Sequence, residues 1–288
     1  MTRWPDKVRV LLSYAYITTP RLTLPAGADV LVDSGAFTAY TTGKQINLDA
    51  YVRFLEANAD HITAAFALDV IGDAAASLRN YHAMRARLEG AMQVIPAWHI
   101  GSEWSAFHKL VSETDYVAVG GMVPHYRKRD ALVRTCIKAH LAARDAGARL
   151  HGLGATGNDM RKLPWYSVDS SSWTMPRRRP LVYVADRGGR MRGVTRGNFK
   201  EATANAVTLR RYGLDPAEFV QYGSSVSATV GADVARNRVA AAVTASLRSY
   251  MHAEATHPHD TRIYLAGQPS DIPTIRAAWL AGSPWAQA

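Results

Sequence analysis

The sequence predicts a mixed α/β fold of the (β/α)8 TIM-type barrel class, on three observations. Short apolar, β-branched runs alternate with helical patterns through the first two-thirds of the chain. The runs recur about every 25 to 30 residues, and no Gly-x-Gly-x-x-Gly turn follows the first, which favours a closed barrel over an open dinucleotide-binding sheet. Polar residues and glycines fall at the C-terminal ends of the runs, where a parallel barrel carries its active site.

In chain order, the strands are expected around VRVLLSYAY from Val8, VLVDSGA from Val30, ITAAFALDV from Ile62, MQVIPAWHI from Met92, YVAVGGM from Tyr116, RLHGLGA from Arg149 and WYSVDSSSW from Trp165. Each is apolar almost throughout, as a strand covered on both faces must be. Asn47 reads as the cap of a helix through LDAYVRFLEANA; Leu78 to Leu88, Glu103 to Glu113 and Arg129 to Ala146 carry i, i+3, i+4 apolar spacing, the last stopped by Gly147. After Trp173 the pattern changes. Two short runs around Arg187-Gly188-Gly189-Arg190 predict a β-hairpin, followed by helices over Phe199 to Tyr212 and Val234 to His252. IYLAG from Ile263 is the candidate eighth strand and Ile272 to Ala281 the closing helix. The organisation is therefore 1–173 as the main part of the barrel, 174–262 as a basic hairpin and helical insertion, and 263–288 as the closing strand and helix.

Composition narrows the function. Of 288 residues, 48% are apolar and 20% charged, enough for a large core and unlike a disordered chain. No run is long and apolar enough for a membrane span, and the opening residues lack a secretory apolar region, so a soluble, cytoplasmic protein is expected. The single cysteine, Cys136, excludes an internal disulfide and any cysteine-rich metal cluster. His252, His257 and His259 lie in a polar stretch and read as solvated rather than metal-bound; no metal or cofactor is called for. Lys and Arg total 34 against 24 Asp and Glu, a net charge of +10. Ten of those cations (Arg177, Arg178, Arg179, Arg187, Arg190, Arg192, Arg196, Lys200, Arg210 and Arg211) crowd one stretch that holds only Asp186 and Glu201 in opposition. Such a run suits a polyanionic partner, or else a solvated face.

Three carboxylates, Asp33, Asp69 and Asp169, stand at expected strand ends. Any one of them could cap a helix or bind turn amides. Together in one barrel mouth they suit chemistry at a glycosidic carbon, one as nucleophile and another as proton carrier. Gly120-Gly121 and Gly152-x-Gly154 remove side chains at adjacent strand ends, either as ordinary turns or as a slot for a planar heterocycle.

These segments resemble the tRNA-guanine transglycosylases. VLVDSGAFTAY is similar to their DSGGFQ segment, YVAVGGM to their GGL-type segment and HGLGATG to their MGVG-type segment, while YSVDSSSW falls where they carry the nucleophilic aspartate. The order and spacing agree across Val30 to Trp173. The resemblance implies a (β/α)8 barrel that exchanges guanine in a nucleic acid for a 7-deazaguanine base. It implies Asp169 as nucleophile at the sugar C1′, Asp33 as general acid/base and Asp69 as acceptor for the guanine edge. Ser34, Phe37, Gly120, Gly121, Met122, Leu153 and Gly154 would line the base pocket, and His99 stands near the place of a base-reading glutamine.

The tRNA enzymes hold a structural zinc through three cysteines and a histidine after the nucleophile, which this sequence cannot do. An arginine-rich region stands there instead, so the sequence looks more like the phage and bacterial relatives that place 7-deazaguanines, such as 7-cyano-7-deazaguanine, in DNA. DNA and a free deazaguanine base are then the partners, with Arg177, Arg178, Arg179, Arg187, Arg190, Arg192 and Arg196 contacting the nucleic acid. An accessory protein or a homodimer is left open. The alternatives are a zinc-free tRNA enzyme, a noncatalytic nucleic-acid-binding barrel and a carbohydrate hydrolase.

Overall fold

A computed structural model describes residues 4–220 and 232–286. Its strands are β1 (Arg9–Ser13), β2 (Asp29–Asp33), β3 (Ala64–Phe66), β4 (Gln93–Ile95), β5 (Ala97–His99), β6 (Tyr116–Gly120), β7 (Arg149–Gly152), β8 (Ser167–Ser170), β9 (Leu181–Ala185), β10 (Met191–Thr195) and β11 (Arg262–Gly267). Nine of them form one parallel sheet in the order β4-β3-β2-β1-β11-β8-β7-β6-β5, and β9 and β10 pair antiparallel apart from it.

The two nominal edges are the halves of one strand. Only Pro96 separates β4 from β5, and a proline has no N–H for the ladder. Its carbonyl still accepts from the Ala118 N–H at 2.8 Å. The stretch from Gln93 to His99 thus pairs with β3 through its first half and with β6 through its second. Following the pairing register from His99 through Gly120, Leu153, Asp169, Tyr264, Arg9, Asp29 and Ile62 returns to that strand at Ala91, a stagger of eight residues. Eight strands with a stagger of eight is the geometry of a (β/α)8 barrel, so this barrel-like sheet is compatible with a TIM-type fold.

Side chains alternate with the two-residue period of the strands. Leu11, Leu31, Ala64, Phe66, Ile95, Tyr116, Ala118 and Tyr264 fill the inside. Val10, Leu12, Val30, Val32, Val117, Val119, Ile263 and Leu265 face outward and pack beneath the helices. Those helices include Leu48–Ala57, Ala74–Arg87, Trp104–Glu113, Arg129–Asp145 and Ile272–Leu280. The Asn47 and Asp73 side chains cap the first two, accepting from Ala50 N at 2.9 Å and Ala76 N at 2.8 Å.

The hairpin turns through Asp186, whose Oδ1 accepts from the N–H groups of Gly188 and Arg190. Its apolar face joins Leu209, Phe219, Ala242 and Ala245 in a second, smaller core. Two local expectations are corrected. Phe199 to Tyr212 is two short helices, Phe199–Ala204 and Ala206–Arg211, parted at Asn205, whose backbone leaves helical geometry (φ −112°, ψ 14°) while its side chain bonds back to Glu201 O. His252 is buried instead of solvated: Nε2 lies 3.0 Å from Arg187 O, within the joint between the long helix Ala232–Ala255 and the hairpin. Among the described residues no helix is long and apolar enough to cross a membrane.

Candidate functional site

At the C-terminal end of β2 the chain turns sharply through Gly35, with φ of +79°. A side chain is excluded there twice over, because a Cβ would lie 2.5 Å from the Ala15 Cβ and the left-handed backbone disfavours L residues. The turn aims the Gly35 N–H at Asp33 Oδ2, 3.0 Å away. Asp33 itself is partly buried, and its carboxyl is pushed up to about 6. Burial is the main cause; the Gly35 N–H opposes it, the charges of Asp169 and Asp69 add to it, and the Ser13 hydroxyl weakly opposes it. The three carboxylates expected from sequence therefore feel one another across one mouth.

Barrel geometry explains how they meet. Each step around the barrel shifts the register by about one residue, so residues at equal height differ in pairing register. On that account Asp33 and Asp169 lie within about one residue of the same level, and Asp69 and His99 lie about two to three residues nearer the opening. Asp69 Oδ2 and His99 Nε2 are 2.8 Å apart. That hydrogen bond is the leading cause of the raised His99 pKa, favouring an imidazolium–carboxylate pair at the entrance.

Asp169 is held differently. Its Oδ1 accepts from Gly154 N–H at 2.8 Å and faces His151 Nε2 at 3.2 Å. His151 is wholly buried, in edge contact with Phe66. Its Nδ1 lies 2.6 Å from Ser167 Oγ, which lies 2.5 Å from Tyr116 Oη. Burial lifts the Tyr116 pKa well above its ordinary value, so the phenol keeps its proton. A carboxylate can only accept, so Nε2 must carry a proton; Tyr116 donating to Ser167 leaves the serine to donate to Nδ1. Tyr116, Ser167 and His151 thus form a one-way hydrogen-bond chain that fixes the Asp169 side chain. His151, Ser167 and Tyr116 are absent from the sequence-based site. The visible signal was a histidine and a serine at inward strand positions two residues before Leu153 and Asp169.

The remaining sequence-predicted residues divide. Leu153 is half-buried and Gly154 exposed at the rim, Phe37 is 69% exposed on the helix Ala36–Thr42, and Ser34 is buried. Gly120 is not open floor: a Cβ there would meet His99 Nδ1 at 2.9 Å and Leu153 Cδ1 at 3.1 Å. Gly121 adopts φ of +71° and approaches the Ile100 backbone, a turn requirement. Met122 is 1% exposed and packs into the outer core beneath the helices, away from the base pocket assigned to it.

The arginines also separate. Arg177 bonds Asp271 at 2.6 Å and stacks on Trp173, and Arg196 stacks on Phe219, so both serve the fold. Arg178 and Arg179 are exposed just after the 3-10 turn that follows β8. Arg192 is exposed and lies 3.8 Å from Asp186. Arg187 and Arg190 are exposed on the hairpin turn. That turn is tied by Arg161, which binds Gly188 O, Ala253 O and Thr256 O. Adjacent Glu254 holds Arg9 and the Ile263 N–H at the starts of β1 and β11. The turn therefore lies toward the end of the barrel opposite the carboxylates, and the seven arginines do not form one surface.

Among the described residues no group of three or more His, Cys, Asp or Glu is placed to hold a metal ion. Compared with known proteins, the chain matches no family model, no curated protein and no solved structure.

Proposed function

We propose that this protein is a transglycosylase that exchanges guanine in DNA for a 7-deazaguanine base through a covalent Asp169–sugar ester. The observation that carries the reading is the Asp33–Asp169 pair: two carboxylates of unequal environment at one level of one barrel mouth. Asp169, oriented by two donors through Oδ1, attacks C1′ as the C1′–N9 bond of guanine breaks. Asp33, with a pKa of about 6, holds a proton often enough near neutrality to deliver it to the departing purine. The incoming base then attacks C1′ through its ring nitrogen, the ester bond breaks, and Asp33 recovers the proton. Asp69, paired with His99 at 2.8 Å, becomes an acceptor for the guanine N1–H and amine when the base displaces the imidazole. The segment 174–262 is proposed to stand in place of the zinc-bearing segment of the tRNA enzymes.

The test is incubation of the protein with an oligodeoxynucleotide carrying labelled guanine and 7-cyano-7-deazaguanine, with a guanine-containing tRNA in parallel. Label release from DNA with incorporation of the deazaguanine is expected, together with a trappable protein–DNA adduct that Asp169→Asn abolishes. Exchange on tRNA alone overturns the choice of DNA. An adduct that persists in Asp169→Asn, or no exchange on either nucleic acid, overturns the mechanism.

A further inference from the structure

The mouth is ringed by exposed rings and cations that neither the carboxylate chemistry nor the basic hairpin uses. Tyr16 is 50% exposed after β1 and Tyr40 66% exposed after β2, where Lys44 is also exposed. On the far side, after β6, the 3-10 segment Val123–Lys128 exposes Val123 and Tyr126, followed by Arg127, Lys128 and Arg129. Arg129 is paired with Asp159 at 3.3 Å, but Arg127 and Lys128 have no ion-pair partner among the described residues. Tyr126 is linked to Asp169 through one residue: its hydroxyl donates to Gly154 O at 3.4 Å, and the N–H of that glycine holds Asp169. β2 and β6 are three strands apart around the eight-stranded barrel, so the two groups face each other across the opening.

We infer that this rim, Tyr126, Arg127 and Lys128 on one side and Tyr16, Tyr40 and Lys44 on the other, binds the single-stranded DNA on either side of the reacting nucleotide. The inference deepens the transglycosylase reading and rests on it for the choice of DNA. Three carboxylates inside the mouth repel phosphate, so backbone contacts belong outside it, on the rim where the unpaired cations lie. Ring faces beside cations on both sides of the opening suit bases linked by phosphates, and base–aromatic stacking tolerates any sequence. A duplex keeps its bases stacked on one another and cannot use these rings, so the strand must be open at the mouth. The arginines of the hairpin turn, at the other end of the barrel, take no part.

The experiment is fluorescence anisotropy of a short guanine-containing oligodeoxynucleotide, its duplex and its ribonucleotide counterpart, between about 50 and about 200 mM salt. The variants are Arg127→Gln/Lys128→Gln, Tyr16→Ala/Tyr40→Ala and, as control, Arg187→Gln/Arg190→Gln; all the replaced side chains are exposed, and circular dichroism checks the fold. The wild type is expected to bind the single strand more tightly than the duplex. Losing two phosphate contacts should reduce the salt slope by about 1.4, losing each ring should weaken binding roughly 5- to 150-fold, and the control should change neither. A slope flattened by the hairpin variant and not by the rim variant overturns the assignment, as does equal affinity for duplex or no binding to any probe. Tighter binding of the ribonucleotide strand overturns the choice of DNA. Rim-dependent binding without base exchange leaves the surface standing and fells the exchange reading; full exchange by both rim variants does the reverse.

Discussion

Replacing Asp33 by Asn should make the protein more stable at alkaline pH and leave it nearly unchanged in acid. The wild-type carboxyl is pushed up to about 6 in the fold, against 3.8 for an unperturbed aspartate. Its main cause is burial, which penalises the charged form, reinforced by Asp169 and Asp69 and resisted by the Gly35 N–H. Below the unfolded value the group is protonated in both states and no penalty arises. Between the two values the folded state keeps a proton that the unfolded chain has released. Above about 6 the fold must carry the buried charge. A shift of roughly two units corresponds to about 3 kcal/mol, so this contribution to stability is present in acid and lost as pH rises through the folded value. Asn carries no such charge and can still accept from Gly35. Urea unfolding of wild type and variant from about pH 4 to about pH 8, with unchanged denaturant slopes, should show a difference that grows by up to about 3 kcal/mol in favour of the variant. In the same titration Asp169→Asn, which removes one raising charge, should move the Asp33 midpoint down. A difference that stays constant across pH refutes the claim that these carboxylates share one desolvated mouth.

Two further outcomes follow from the same geometry. His151→Phe removes one donor to Asp169 and should lower kcat for exchange about 10- to 100-fold with KM unchanged, the value of one hydrogen bond to a charged group; His151→Gln, whose amide can reach the Nε2 position, should restore most of it. Equal losses in both variants would mean that His151 only fills space. Gly35→Ala places a Cβ 2.5 Å from that of Ala15 and forces a left-handed alanine, which should cost at least 1 to 2 kcal/mol of stability, roughly. Displacing its N–H should also raise the Asp33 midpoint, followed by carboxyl carbon NMR; an unmoved midpoint shows that this contact does not act on Asp33.

The chain itself determined the strand runs and the placing of Asp33, Asp69 and Asp169 at strand ends. Those are local properties: an apolar run buried on both faces and a polar residue where it stops are visible within a few residues. Tertiary structure decided which ends share a level, because the eight-residue stagger accumulates from every pairing around the barrel and belongs to no single segment. It decided that Gly120 makes room for His99 and Leu153, that Met122 faces the outer core, and that His151 braces Asp169 from below, since each depends on a neighbour far away in sequence. The basic stretch shows the limit most clearly. Charge is legible residue by residue, but its direction is not: Arg177 and Arg196 turn to Trp173 and Phe219, the hairpin carries Arg187 and Arg190 away from the mouth, Arg178 and Arg179 stay exposed just after β8, and Arg127 and Lys128 come from a different loop altogether.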